Sequence, residues 1–344
     1  MNHLFLFLLL AFSATISRAQ TLSASEKKSI FLNAKKGLTE QYHFKDKVEP
    51  TLRYLDRQWA SGKYDSMNTI SSFTDALSGD IKEVTKDGHM NFFYRSAVET
   101  GSGGGPSIPW GLINDNFLNN GLNAVEIISG DIGLIRLKAF GSIENLLPAA
   151  FTFVKNTGAL VIDLRDNGGG MLSNTVSSYL FEDTALHLNT IFWNDLTDSI
   201  YTHPVPGPKY LDKPIFLLVN KGTFSSAEEF AYDLQAMKSA VVIGEQTGGG
   251  ANPGGTMPVY EFPDKSRLDM YVSLGHVVNP VTGSNWERTG VTPDILVSPE
   301  LALYKAQQLA LTGLAEREKN PDMNKQYREI LKKITEKMAA LTVR

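Results

Sequence analysis

The 344-residue chain is 42% hydrophobic and 20% charged, a globular mixture able to bury a sizeable core, and its length suggests two domains or one large domain with appendages. A formal net charge of -4 without basic blocks argues against nucleic acid as a partner. The absence of cysteine excludes disulfides, thiol nucleophiles, thiolate metal sites and lipidation on cysteine.

Residues 1–19 read as a signal peptide. Leu4 to Ala11 form its apolar core, and Ser17-Arg18-Ala19 before Gln20 makes a small-x-small cleavage site. The run is too short for a comfortable membrane span, so the mature chain is expected to be exported, periplasmic or secreted, without an integral span. From residue 20 to 100 the spacing predicts a helical module. Ser23-x-x-Glu26 is a capping box for a helix carrying Ile30, Ala34 and Leu38 on one face. Leu52, Leu55 and Trp59 mark a second helix, and Ile70, Phe73 and Leu77 a third. The stretch GSGGGPSIP, Gly101 to Pro109, then forms a hinge or loop.

Residues 101–300 change pattern to α/β. Ala124 to Ile128 and Ile132 to Leu137 are strand-like around the turn Ser129-Gly130-Asp131. Ile143 to Lys155 reads as a helix, with Pro148 awkward in its first half. ALVIDL, Ala159 to Leu164, is a continuous apolar strand of the kind buried inside parallel sheets. Thr190 to Trp193, Ile215 to Val219, Ala240 to Ile243 and Met270 to Leu274 are further strands. Residues 301–344 form a helical tail in which Ile330, Ile334, Met338 and Leu341 keep helical spacing.

Four stretches could carry chemistry. In NKGTFSSAEEF an apolar strand turns into a helix near Ser225 or Ser226, and each serine stands three residues before a glutamate. Either is a helix cap, or one is a nucleophile whose oxyanion would face the helix's free N–H groups. Asp163 to Gly170, DLRDNGGG, is a flexible turn or a backbone anion site. His89, in KDGHM, is a structural histidine or a base. Glu287, in NWERTGVTPDI, is a solvated carboxylate or a partner to that base.

Taken in order, DGH, ALVIDLRDNGGG, NKGTFSSAEEF, VVIGEQTGGGANPGG and NWERTGVTPDI resemble the C-terminal-processing (tail-specific) serine peptidase family. The likeness is to the branch with the interphotoreceptor retinoid-binding protein repeats and a tricorn-type core. The resemblance implies a crotonase-like core of stacked β-β-α units, flanked here by the N-terminal helical module and C-terminal helices. It implies Ser226 as nucleophile and an oxyanion hole from the N–H groups of Ala227 and Gly169, with Gly168 and Gly170 lining the substrate path. Ala251 takes the place where many members carry a lysine base, and the tricorn-type pattern supplies His89 as base and Glu287 as its support instead. Gly101 to Ala139 is too short for the PDZ domain that many members insert, so recognition of C-terminal tails is not implied. The function implied is a peptidase acting on peptides or unfolded protein, with no metal or cofactor. The alternative is a non-catalytic binder of hydrophobic, retinoid-like ligands on the same fold.

Overall fold

In the computed structural model, which describes residues 21–97 and 119–342, the Ser23 capping box opens helix α1 (Ala24–Gln41). Glu26 N–H donates to Ser23 Oγ at 3.2 Å, and Ser23 N–H donates to Glu26 Oε2 at 2.7 Å. Helices α2 (Lys45–Ala60) and α3 (Ile70–Thr85) follow, then strand β1 (Phe92–Arg95). Lys86 ends α3 in a left-handed conformation, φ 56°, and so turns the chain into Asp87-Gly88-His89. The proposed leader, 1–19, and the glycine-rich stretch 101–109 lie outside the described residues.

Beyond residue 119 come β2 (Leu122–Ile128), β3 (Ile132–Leu137), α4 (Leu147–Val154), β4 (Ala159–Asp163) and α5 (Ser173–Ser178). Next are β5 (His187–Trp193), β6 (Thr197–Tyr201), β7 (Ile215–Val219), α6 (Ser226–Ala236) and β8 (Val241–Gly244). The chain continues through β9 (Gly254–Glu261), β10 (Arg267–Ser273), β11 (Gly275–Val278) and β12 (Ile295–Leu296) to α7 (Pro299–Arg317) and α8 (Pro321–Thr342). The helix read from Ile143 begins only at Leu147, because Pro148 lacks an N–H and is tolerated in a first turn but not further in.

The chain forms two compact units. The first holds the described residues up to 86, then 90–97 and 256–272. In it β1 pairs antiparallel with β10, and β9 lies on the other side of β10. Residues 256–272, read from sequence as part of the 101–300 domain, pack here against α1. A Cβ on Gly37 would lie 2.3 Å from Met257 Sδ, and Asn33 Nδ2 donates to Val259 O at 2.9 Å.

The second unit holds 87–89, 119–255 and 273–342 of the described residues, and is a mixed α/β structure. Its main sheet runs β12-β8-β7-β4-β3-β2, parallel except for β2, which pairs antiparallel with β3. Both faces are covered, which is why β7 and residues 159–162 of β4 are continuously apolar rather than alternating, with buried Asp163 only at the C-terminal end of β4. Leu160, Ile162, Leu217 and Val219 face a core shared with Phe151, Phe230 and Leu234, whereas Val161, Phe216 and Leu218 meet Ala302, Ala306, Ala310 and Ile334 of α7 and α8. Each of the Leu, Ile, Val and Phe side chains contributes roughly 1.5–3 kcal/mol by burial, so the sheet's C-terminal edge is a rigid platform for loops. A smaller sheet, β11-β5-β6, completes the unit. Among the described residues no helix is long and apolar enough to cross a membrane.

Candidate active site

Parallel pairing puts the C-terminal ends of β4 and β7 side by side, with Asp163 opposite Leu218. The loops leaving these strands are laced together. Asn220 Oδ1 accepts from Asp166 N–H at 2.9 Å and Nδ2 donates to Asp166 Oδ1 at 2.7 Å. Thr223 Oγ1 donates to Leu164 O at 2.9 Å, and Phe224 N–H donates to Asn167 O at 2.9 Å. The glycine turn therefore lies directly against the turn into α6. A Cβ on Gly169, φ 104°, would meet Ser225 Cβ at 2.9 Å and both Phe224 O and Ser226 N at 3.0 Å. Only glycine fits there.

Ser225 occupies the head of α6 with φ 56° and ψ -127°, an unfavourable backbone for a residue with a Cβ. The strain lifts its side chain out of the turn between strand and helix, as in a nucleophile elbow. Its Oγ stands 3.1 Å from Nε2 of His89. Ser226, the serine singled out from the motif, does not face the histidine. Its Oγ donates to Gly170 O at 2.9 Å, which ties α6 to the glycine turn. The two serines differ by register: a one-residue step at a helix start rotates the side chain by about 100°.

The two expected oxyanion donors are engaged as well. Ala227 N–H donates to Phe224 O at 3.1 Å, and Gly169 N–H donates to Asn167 Oδ1 at 2.8 Å. The N–H groups of Ser226, Gly168 and Gly170 donate to no acceptor among the described residues.

His89 is buried against Phe224, with ring centroids 4.7 Å apart, and its Cε1 would lie 2.7 Å from a Cβ on Gly250. Glu287 arrives on a loop stitched to residues 248–252: Trp286 Nε1 donates to Gly250 O at 2.8 Å and Arg288 N–H to Gly249 O at 2.9 Å. Glu287 Oε2 accepts from Ala251 N–H at 2.6 Å and Asn252 N–H at 3.2 Å, and Oε1 accepts from Gly88 N–H at 3.3 Å. Burial, and then the charge of Asp87, push its carboxyl up to about 7, against the pull of those N–H groups. One donor atom each of Asp87, His89 and Glu287 lies within 4.8 Å of the others. Spacing of this kind also suits a cation; the hydrogen bond of the group that reaches Ser225 runs from His89 Nε2 to its Oγ.

Glu228, read from sequence only as a capping partner, proves to be the anchor of the site. It is fully buried and accepts from Ser225 N–H at 3.0 Å, Gly249 N–H at 2.7 Å, Gly250 N–H at 2.8 Å and the Thr247 hydroxyl. Burial pushes it up to about 7 despite these four donors. Asp87 and Asn252 also escaped the sequence reading, although Asp87 stands in the same DGH motif as His89. His276, by contrast, stacks on Phe192 between β11 and β5.

Residues 131–297 match the family model described as Peptidase family S41. Carboxyl-terminal-processing peptidase 2 of Arabidopsis thaliana chloroplasts is 31% identical over 180 residues, 48% of this chain and 32% of that protein. The carboxy-terminal-processing protease of Bartonella bacilliformis is 27% identical over 195 residues, 54% of this chain and 43% of that protein. The chain thus matches less than half the length of these curated relatives. Among solved structures, a photosystem II D1 C-terminal processing protease superposes with a TM-score of 0.51 at 18% identity, covering 81% of this chain and 95% of that one. A lipoprotein from Streptococcus agalactiae gives 0.54 at 16% identity, covering 85% and 98%. These two likenesses establish the fold alone.

Proposed function

The chain belongs to peptidase family S41 through residues 131–297, and on that footing we propose that it is a serine peptidase cleaving peptides or unfolded protein segments. Ser225 is its nucleophile, in place of Ser226. His89 Nε2 takes the hydroxyl proton as Oγ attacks the scissile carbonyl, then returns it to the leaving amine. Water repeats the sequence on the acyl-enzyme. Glu287, held by three backbone N–H groups, supports the imidazolium formed in both steps. The oxyanion falls to the N–H of Ser226, backed by the positive end of α6, with a second donor from Gly168 or Gly170. Export rests on the leader-like residues 1–19, and the crotonase-like nature of the core on the family resemblance and the parallel sheet.

One observation carries this reading: the 3.1 Å approach of His89 Nε2 to an Oγ raised on a strained strand-to-helix turn. The test is hydrolysis of unfolded casein by the purified protein and by Ser225→Ala and Ser226→Ala. Loss of nearly all activity in Ser225→Ala, with substantial activity kept in Ser226→Ala, is expected. The reverse pattern, or no casein hydrolysis by the wild type, defeats the assignment.

A further inference from the structure

Asp87 is 1% exposed, and the roles assigned to Ser225, His89 and Glu287 make no use of it. A carboxylate in such a place needs a reason, because desolvating a charge is costly unless its surroundings compensate. Some compensation is local. Asp87 Oδ1 accepts from the His89 backbone N–H at 3.1 Å, and Oδ2 accepts from Asn252 Nδ2 at 3.2 Å. Glu287 is set against it, since it stands in the same cluster and the two acids repel. Asn252 serves both: its side chain holds Asp87 while its backbone N–H holds Glu287.

Once Glu287 is ionised, above about pH 7, two like charges pressed together beside one neutral imidazole form an arrangement that improves when the imidazole becomes charged. Resting repulsion is relieved as His89 takes the proton from Ser225, so the interaction is stronger in the transition state than before it. Only such differential interactions accelerate a chemical step. Three neighbours of this cluster among the described residues do not play this part. Phe224 packs on the ring without charge, Glu228 is turned to the N–H groups of Gly249 and Gly250, and Arg288 is exposed and reaches the cluster through its backbone alone.

We propose that Asp87 is a positioning residue for the His89 base, fixing its backbone and adding a second negative charge beside its ring. The proposal rests on the Ser225–His89 reading and extends it. A unit charge within 4.8 Å changes the stability of the imidazolium enough to alter the rate from about fourfold to about 300-fold as the effective dielectric falls from 80 to 20.

The test compares wild type, Asp87→Asn and Ser225→Ala in casein-derived peptide hydrolysis across pH, with thermal unfolding in parallel. Asparagine keeps the shape and an oxygen for the His89 N–H but removes the charge. In Asp87→Asn, kcat should fall within that range while KM stays within about twofold. The acidic limb of the pH–rate profile should also move to lower pH by at least about half a unit, since a lone carboxylate supports the protonated ring less. A purely structural role would lower activity without moving the limb, and that result overturns the proposal, as does wild-type kcat. If Asp87→Asn does not fold, Asn252→Ala takes its place. It frees the Asp87 carboxylate without removing its charge and should lower kcat severalfold at unchanged KM; unchanged kcat overturns the proposal. Activity surviving in Ser225→Ala is a separate result, since it strikes the underlying reading and not the role of Asp87.

Discussion

Gly169 offers a sharp perturbation, because it carries a positive φ and touches the elbow from behind. Gly169→Ala would place a methyl 2.9 Å from Ser225 Cβ and 3.0 Å from Phe224 O and Ser226 N. The nearest atoms include backbone, which cannot swing aside as a flexible side chain would. Holding alanine at φ 104° costs about 1–3 kcal/mol, and overpacking adds about 1–3 kcal/mol, for a sum of roughly 2–6 kcal/mol. At about 2 °C per kcal/mol for a chain of this size, Tm should fall by roughly 4–12 °C. Shifting the elbow by several tenths of an ångström should also lower kcat by about 10- to 100-fold, since a 1 Å misplacement alone costs on the order of 100-fold. Gly255→Ala is the control: nothing lies within 4 Å of its added Cβ, and it should change neither quantity appreciably. Calorimetry and initial rates on both variants decide the matter. A Gly169→Ala protein with wild-type Tm and kcat would refute the tight apposition of glycine turn and elbow.

Glu228 gives a pH dependence of definite sign. Its folded value of about 7 lies above the ordinary 4.5, so its contribution to stability is full below 4.5 and is lost as pH rises through about 7. Relative to Glu228→Gln, the wild type should therefore lose about 3 kcal/mol between pH 4 and pH 8 in urea unfolding; a constant difference would contradict this. Glu287 is likewise pushed up to about 7, so its support for the base should fade as pH falls through that value. Glu287→Gln should lower kcat by about 10- to 100-fold at pH 8 with little change in Tm, and equal activity to wild type at that pH would count against its role.

Much of the scaffold was legible because local rules and the tertiary structure agree. The Ser23 capping box, the apolar runs of β4 and β7 and the stripe through Ile330 and Ile334 all stand where their periodicity placed them. The strands that escaped lack a pattern to read. β6, TDSIY, is a mostly exposed edge strand, and β9 contains two glycines and a proline. At the candidate site, the sequence offers residue types and segments but no choice of register between the two serines. SSAEE offers two serines each three residues ahead of a glutamate, and only the backbone at Ser225 separates them. The same ambiguity bears on the proposed oxyanion donors, since choosing Ser226 shifts the following N–H to Ala227. Asp87 and Glu228 were invisible as site residues for another reason. Acids in turns and first helical turns are usually solvated, and only tertiary burial sets these two apart.

The central claim is that Ser225, and not Ser226, is the serine made reactive by His89. It is tested most directly by treating the protein with a fluorophosphonate and locating the adduct by peptide mass spectrometry, in wild type and in His89→Ala. A single stoichiometric adduct on Ser225, lost in His89→Ala, is the predicted result. An adduct on Ser226, or labelling of Ser225 that persists undiminished without His89, would contradict it.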